Sequence, residues 1–142
     1  MISPRTRRHA GILLVVLPTV IYGGASLLYR LNSDPRYAQN HLRQDLWLAG
    51  HAHAGVLLLL SLVTLLYLDD ATLSARAKTF VRITVPMSAI LLPAAFFFSV
   101  LMPDATKPND MIYLAYLGAV ELAAGLVVLR VGLFRKNAES HS

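Results

Sequence analysis

Residues 46–68 read LWLAGHAHAGVLLLLSLVTLLYL and contain no Asp, Glu, Lys or Arg. A helix rises ~1.5 Å per residue, so about 20 apolar residues cross the ~30 Å hydrocarbon core of a bilayer. This stretch is long enough to do so, and it lacks the polar face that the surface helices of soluble proteins carry. It therefore predicts a transmembrane helix.

Three further stretches have the same character, and Glu121 is the one charged residue among them. They are Gly11 to Tyr29, Ile83 to Met102 and Met111 to Leu129. We therefore predict an all-α fold, an integral membrane four-helix bundle that forms a single domain over residues 1–142. The predicted helices are approximately 11–30, 46–68, 80–102 and 111–133, with an outer loop at 31–45. The bilayer is then the first partner of the chain.

The charge of the chain, +5 with 13 Lys and Arg, is distributed unevenly between the two sides of the predicted membrane. Basic residues are more frequent on the cytoplasmic side of membrane proteins, so both termini are predicted to be cytoplasmic. The positive charge is thereby explained by topology, and we expect no nucleic-acid partner. The side of the termini carries Arg5, Arg7, Arg8, Arg76, Lys78, Arg82, Arg130, Arg135 and Lys136, against Arg30, Arg36, Arg43 and Lys107 on the other side.

The chain has no cysteine. This excludes disulfides, thiolate-bound iron–sulfur clusters, covalent c-type haem attachment and cysteine-based catalysis. The basic start and apolar core of the first span resemble a signal peptide. No A-x-A cleavage site follows, so we expect the span to be retained.

The clearest candidate for a functional site is the segment Gly50-His51-Ala52-His53-Ala54-Gly55. If the helix begins near Leu46, both imidazoles lie about 7–11 Å inside the outer end, among residues small enough to admit a neighbouring helix or a flat cofactor. Ionisable groups inside a membrane suggest function by default. Residues two apart point ~200° apart, so either the helix breaks at Gly50 or only one histidine is a ligand. Interhelical hydrogen bonding by both histidines is the non-functional alternative.

Other possible ligands lie on the same outer side, at His41, Met102 and Met111. Imidazole and thioether together suit haem iron or copper. We therefore expect haem b or a transition metal such as copper, with His41, His51, His53, Met102 and Met111 as metal-ligand candidates. The alternative for the two methionines is that they simply fill apolar space.

Glu121 is predicted about 15 Å inside the last helix, near the middle of the bilayer. It shares a face with Gly118 and Gly125, which predicts that it points into the bundle. A bare carboxylate is costly there, so we expect Glu121 to be protonated or paired. It is a candidate cofactor-site residue with His51 and His53, a proton relay, or a partner for His53 about one turn away. The structural alternative is a contact that holds helices together.

Two expectations concern helix ends and helix faces. Gly23 and Gly24 thin the outer half of the first helix, so a neighbouring helix is expected to approach closely there. Asp69 and Asp70 are expected to form a solvated helix end. The nearby basic residues, including Arg82, are expected to set topology and contact anionic lipid.

The HAHAG segment at residues 51–55 resembles the intramembrane His-x-His segments of proteins related to the haem–copper oxidase subunit I superfamily, in which an outer-leaflet histidine binds haem. The resemblance covers His51, His53 and their small neighbours, and it implies a haem ligand at one of them. The chain also resembles short four-span bacterial membrane proteins that carry a Gly-His-Ala-His-Ala-Gly segment. That resemblance implies a multi-pass protein of the bacterial inner membrane.

Three functional hypotheses follow. The first is a haem- or metal-binding bundle that serves as a redox subunit, with a symmetric homo-oligomer able to supply two axial ligands. The second in rank is a structural or assembly subunit of a larger membrane complex. The third is a proton-coupled carrier that uses Glu121. The sequence assigns no enzymatic activity.

Overall fold

The computed structural model describes residues 2–139, with side chains to Arg135, and this part of the chain is helical without strands. Four of its helical segments are long and apolar enough to span a membrane, which confirms the predicted all-α architecture. The elements are α1 (Pro4–Ser33), α2 (Pro35–Ala38), α3 (His41–Leu68), α4 (Ala75–Ser99), a 3-10 turn (Asp110–Tyr113) and α5 (Leu114–Glu139).

Polar capping residues extend three of these helices beyond the predicted apolar stretches. Side chains of Ser3, Asn40 and Ser74 accept hydrogen bonds from backbone N–H groups in the first turns of α1, α3 and α4. Such caps satisfy donors that a helix start leaves unpaired. The predicted outer loop at 31–45 is consequently mostly helical, because α1 continues to Ser33, α2 follows and α3 begins at His41.

The four long helices pack in the order α1, α3, α4, α5, mainly each against the next. Gly50 of α3 faces Phe97 of α4, and Gly125 of α5 faces Val85 of α4, so consecutive helices run antiparallel. We call the end with residues 4, 68, 75 and 139 the terminal end and the opposite one the loop end. In the most apolar part of α1 only 11% of the residues are buried, and in that of the span Asp110–Arg135, which contains α5, only 17% are. The value is 33% for both α3 and α4. The first and last helices of the packing order therefore present wide apolar faces.

Asp69 was expected at a solvated helix end, but it joins α1, α3 and α4 at the terminal end. Its Oδ2 accepts a hydrogen bond from the backbone N–H of Ser3 at 2.7 Å, and its Oδ1 lies 3.3 Å from Nη2 of Arg82. The same Nη2 donates to Thr6 Oγ1 at 3.3 Å. Arg82, expected to set topology and contact lipid, is instead 6% exposed.

Burial by itself raises the pKa of Asp69, but the hydrogen bonds from Ser3 and Thr6 and the charge of Arg82 outweigh it. The pKa of Asp69 is therefore held below its ordinary value of 3.8. The ionised carboxylate is the form that binds α1 and α4 to the end of α3.

A second polar cluster closes the loop end. Arg43 is 4% exposed and donates from Nε to the carbonyl of Val100 at 3.1 Å, where α4 has just ended. Its guanidinium lies 4.4 Å from the ring centroid of Trp47, whose indole N–H donates to the carbonyl of Phe97. Trp47 is thus buried against α4 and links α3 to that helix.

Candidate functional site

The imidazole of His51 lies against the backbone of α1. A methyl carbon at Gly24 would come 2.8 Å from Nε2 of His51, and one at Gly23 would lie 3.8 Å from Nδ1. The expected close approach to the two glycines is therefore made by an imidazole ring. In residues 2–139 the ring nitrogens of His51 have no hydrogen-bond partner, so the ring keeps one donor and one acceptor when neutral.

His53 faces α4 instead. Its ring centroid lies 5.1 Å from that of Phe96 at an interplanar angle of 44°. Its Nδ1 lies 2.7 Å from the carbonyl oxygen of Ala49. Because a carbonyl only accepts, Nδ1 carries the proton, and in the neutral ring Nε2 keeps the lone pair that a metal ion would bind.

The two histidines consequently project towards different helices and do not form one ligand pair. α3 continues through Gly50 without a break, so the regular ~100° turn per residue separates them. Of the two alternatives from the sequence, a break at Gly50 is excluded. At most one of His51 and His53 can then bind a given metal ion within one chain.

A cavity of about 210 Å³ lies beside His51 between α1 and α3. Its other polar side chains are Gln44 and Tyr37, and among the residues with described side chains no Asp, Glu, Lys or Arg lines it. This volume is below the roughly 300–1,000 Å³ of pockets that enclose a drug-sized ligand, so the cavity cannot enclose a haem. Sequence reasoning did not select Gln44, although Gln44, Leu48 and His51 follow the i, i+4, i+7 spacing of one helix face.

The remaining ligand candidates lie at the loop end, at the start of α3 and between α4 and α5. His41 is exposed and lines an open cleft of about 900 Å³ together with Arg36, Asn40 and Asp104. Met102 and Met111 are exposed on the connection between α4 and α5. Within the described part of the chain, no three His, Asp or Glu side chains come together in a group that could hold a metal ion.

Glu121 lies on the face of α5 that packs against α4. Gly118 faces Leu92 and Gly125 faces Val85, which places Glu121 level with Ser88. Phe96, the partner of His53, is about eight residues further along α4, or ~12 Å. Glu121 Oε2 is buried without a hydrogen-bond partner, and between residues 2 and 139 no hydrogen bond or ion pair joins Glu121 to either histidine.

The polar clusters around Asp69 and Arg43 were not recognised as interhelical contacts from the sequence. The sequence offers a weak signal for each, because a charged residue next to a long apolar stretch must find a partner or reach water. Which of these it does depends on the neighbouring helices. Comparison with known proteins adds no further constraint, since no family model, curated protein or solved structure matches the chain.

Proposed function

We propose that the chain is a multi-pass subunit of a bacterial inner membrane that supplies His53 as one ligand of a haem b, or of a transition metal such as copper. The observation that supports this is the hydrogen bond from Nδ1 of His53 to the carbonyl of Ala49, 2.7 Å long. In metal-binding histidines, a hydrogen bond from the ring nitrogen that does not bind the metal fixes the tautomer and the orientation of the ring. It leaves Nε2 free to bind the metal.

The surroundings of His53 suit a flat or compact group. Ala49 and Gly50, one turn before His53 on the same side of α3, add little bulk, and the ring of Phe96 packs beside the imidazole. The site is a few turns inside the loop end, within the apolar part of α3. Water is scarce at such a depth, which strengthens the bond between a neutral imidazole and a metal cation.

A second chain is part of this proposal, because residues 2–139 of one chain offer one suitable histidine. A symmetric homo-oligomer would bring two copies of His53 to one haem, and a different membrane subunit could supply the second ligand instead. We further propose that the terminal end faces the cytoplasm, since Arg5, Arg7, Arg8 and Arg76 lie there and are exposed.

The experiment is an absorption spectrum and elemental analysis of the full chain, purified gently from its native membrane. A Soret band or bound metal that is lost in His53→Ala and retained in His51→Ala is the expected result. His9→Ala is the matched control, because His9 makes the same type of bond, from Nδ1 to the carbonyl of Arg5 at 2.8 Å, at the exposed start of α1. A colourless, metal-free protein, or a band that survives in His53→Ala, contradicts the proposal.

A structural or assembly subunit of a membrane complex is the second candidate. The observation that favours it is the low burial of α1 and α5. Only 11% of the residues are buried in the most apolar part of α1, and 17% in that of the span that contains α5. Helices with so little contact inside the chain leave most of their surface to lipid or to other subunits. Stoichiometric partners that co-purify in mild detergent would support this function, and a clean homo-oligomer would argue against it.

A further inference from the structure

The cavity beside His51 is separate from the proposed metal site, because His53 does not line it. Its apolar part is formed by leucines of α1 and α3, and Leu28, Leu31 and Leu48 among them are exposed. The cavity therefore opens on the apolar outer surface of the molecule, where lipid would lie. A ligand would enter it from the membrane and not from water.

The polar side of the cavity offers hydrogen bonds without charge. His51 has no partner in the described residues, so its ring can donate and accept. The amide nitrogen of Gln44 is already used, because it donates to the carbonyls of Tyr37 and Ala38 at 3.0 and 2.9 Å. The oxygen of Gln44 makes no hydrogen bond in residues 2–139 and remains an acceptor.

The size and the neutrality of the cavity restrict its ligand. A volume of about 210 Å³ accommodates a ring-sized group but not a group as large as a haem. A phosphate headgroup would be buried there without a cation, which is costly. An apolar tail, by contrast, could leave the cavity over Leu28 and Leu31 into the surrounding lipid.

We propose that this cavity binds the uncharged, ring-sized headgroup of a membrane-soluble amphiphile of the quinone class, with His51 hydrogen-bonded to a headgroup oxygen. A neutral imidazole donates to a quinone carbonyl or accepts from a quinol hydroxyl, so both forms are recognised. The proposal concerns binding alone and is independent of a metal at His53.

The test measures the binding of decylubiquinone to the full chain in lipid nanodiscs, with decylbenzene as the probe that lacks headgroup oxygens. His51→Phe keeps a ring of similar shape and removes its hydrogen bonds, so affinity for decylubiquinone should fall about tenfold. Gly24→Ala should also weaken binding, because Gly24 lines the cavity and its new methyl group, 2.8 Å from Nε2, displaces the imidazole. Gly23→Ala, with a 3.8 Å contact, is the matched control and should bind as the native chain does.

Unchanged affinity of His51→Phe, equal binding of decylbenzene, or equally strong competition by phosphatidylglycerol would overturn the proposal. His53→Ala should bind decylubiquinone normally, which separates this proposal from the one on the metal.

A second measurement does not depend on the folding of the His51 variant. Because the chain has no cysteine, Leu31→Cys introduces a single thiol at the mouth of the cavity. Decylubiquinone should slow its reaction with a lipophilic maleimide, whereas Leu14→Cys, on an exposed part of α1 outside the cavity, should react at an unchanged rate. Equal rates at both positions with and without decylubiquinone would contradict binding here.

Discussion

Nε2 of His51 lies so close to Gly24 that a methyl carbon on this glycine would be 2.8 Å away. Real side-chain carbons do not approach a nitrogen so closely, so any side chain at residue 24 displaces the imidazole. The glycine thus determines where the imidazole lies between α1 and α3.

Gly24→Ala is expected to lower the free energy of unfolding by about 1 kcal/mol relative to Gly23→Ala. Both substitutions gain the same helix propensity, so the difference isolates the contact with His51. Thermal unfolding of the two variants in one detergent provides the comparison. Equal stabilities would mean that the imidazole moves aside without cost.

Gly125→Ala is expected to destabilise the contact between α4 and α5 by about 1–3 kcal/mol. A methyl carbon there would lie 2.6 Å from Cγ2 of Val85 and 2.7 Å from Oγ1 of Thr84, and both side chains are β-branched and stiff. Gly11→Ala is the control, because no other part of the structure lies within 4 Å of a methyl carbon at Gly11. Unfolding titrations that rank Gly125→Ala at or above Gly11→Ala in stability would refute this account.

Asp69→Asn is expected to cost about 3 kcal/mol of stability at neutral pH, because it leaves Arg82 buried without its counter-charge. The double variant Asp69→Asn with Arg82→Met should recover most of this loss. A double-mutant cycle measured by unfolding titration tests the pairing. Additive effects of the two substitutions would show that the ion pair does not stabilise the fold.

Because Asp69 titrates, we expect the free energy of unfolding to depend on pH. The pKa of Asp69 in the folded chain is below its ordinary value of 3.8, so its stabilising effect is fully present above pH 3.8 and is lost as the pH falls towards the folded pKa. The slope of stability against pH in this acidic range should be smaller in Asp69→Asn than in the native chain. Identical slopes would exclude Asp69 as the titrating group.

Arg43→Lys is expected to cost about 2 kcal/mol, although it keeps the charge. A lysine cannot stack its head on Trp47 as a planar guanidinium does, and its single nitrogen would replace the two, Nε and Nη2, that donate to the carbonyls of Val100 and Leu101. Arg36→Lys is the control, since Arg36 is exposed. Melting temperatures that are equal for the two variants would contradict this role of Arg43.

The sequence predicts the four membrane-spanning helices because twenty apolar residues leave few other structures open to the chain. Helix ends are harder to predict, since they depend on caps such as Ser3 and Asn40, whose polar side chains fall outside any hydropathy stretch. The partners of Asp69 and Arg82 depend on how helices distant in sequence meet, and hydropathy carries no such information.

The two histidines illustrate the same limit at the candidate site. Their spacing correctly predicts that they point in different directions in a regular helix. It does not reveal that His51 faces Gly24 of α1 while His53 faces Phe96 of α4. The small residues around the two histidines are compatible with a close helix and with a cofactor. In the structure, α1 fills part of the space beside His51.

The packing order has a consequence for the synthesis of the protein. Each long helix makes most of its contacts with the long helix that precedes or follows it in the chain. Every interface can therefore form as soon as the second of its two helices leaves the ribosome and enters the bilayer. Such nearest-neighbour contacts close short loops and favour rapid folding. Insertion can proceed hairpin by hairpin, and the hydrogen bond from Arg82 of α4 to Thr6 of α1 forms when α4 arrives.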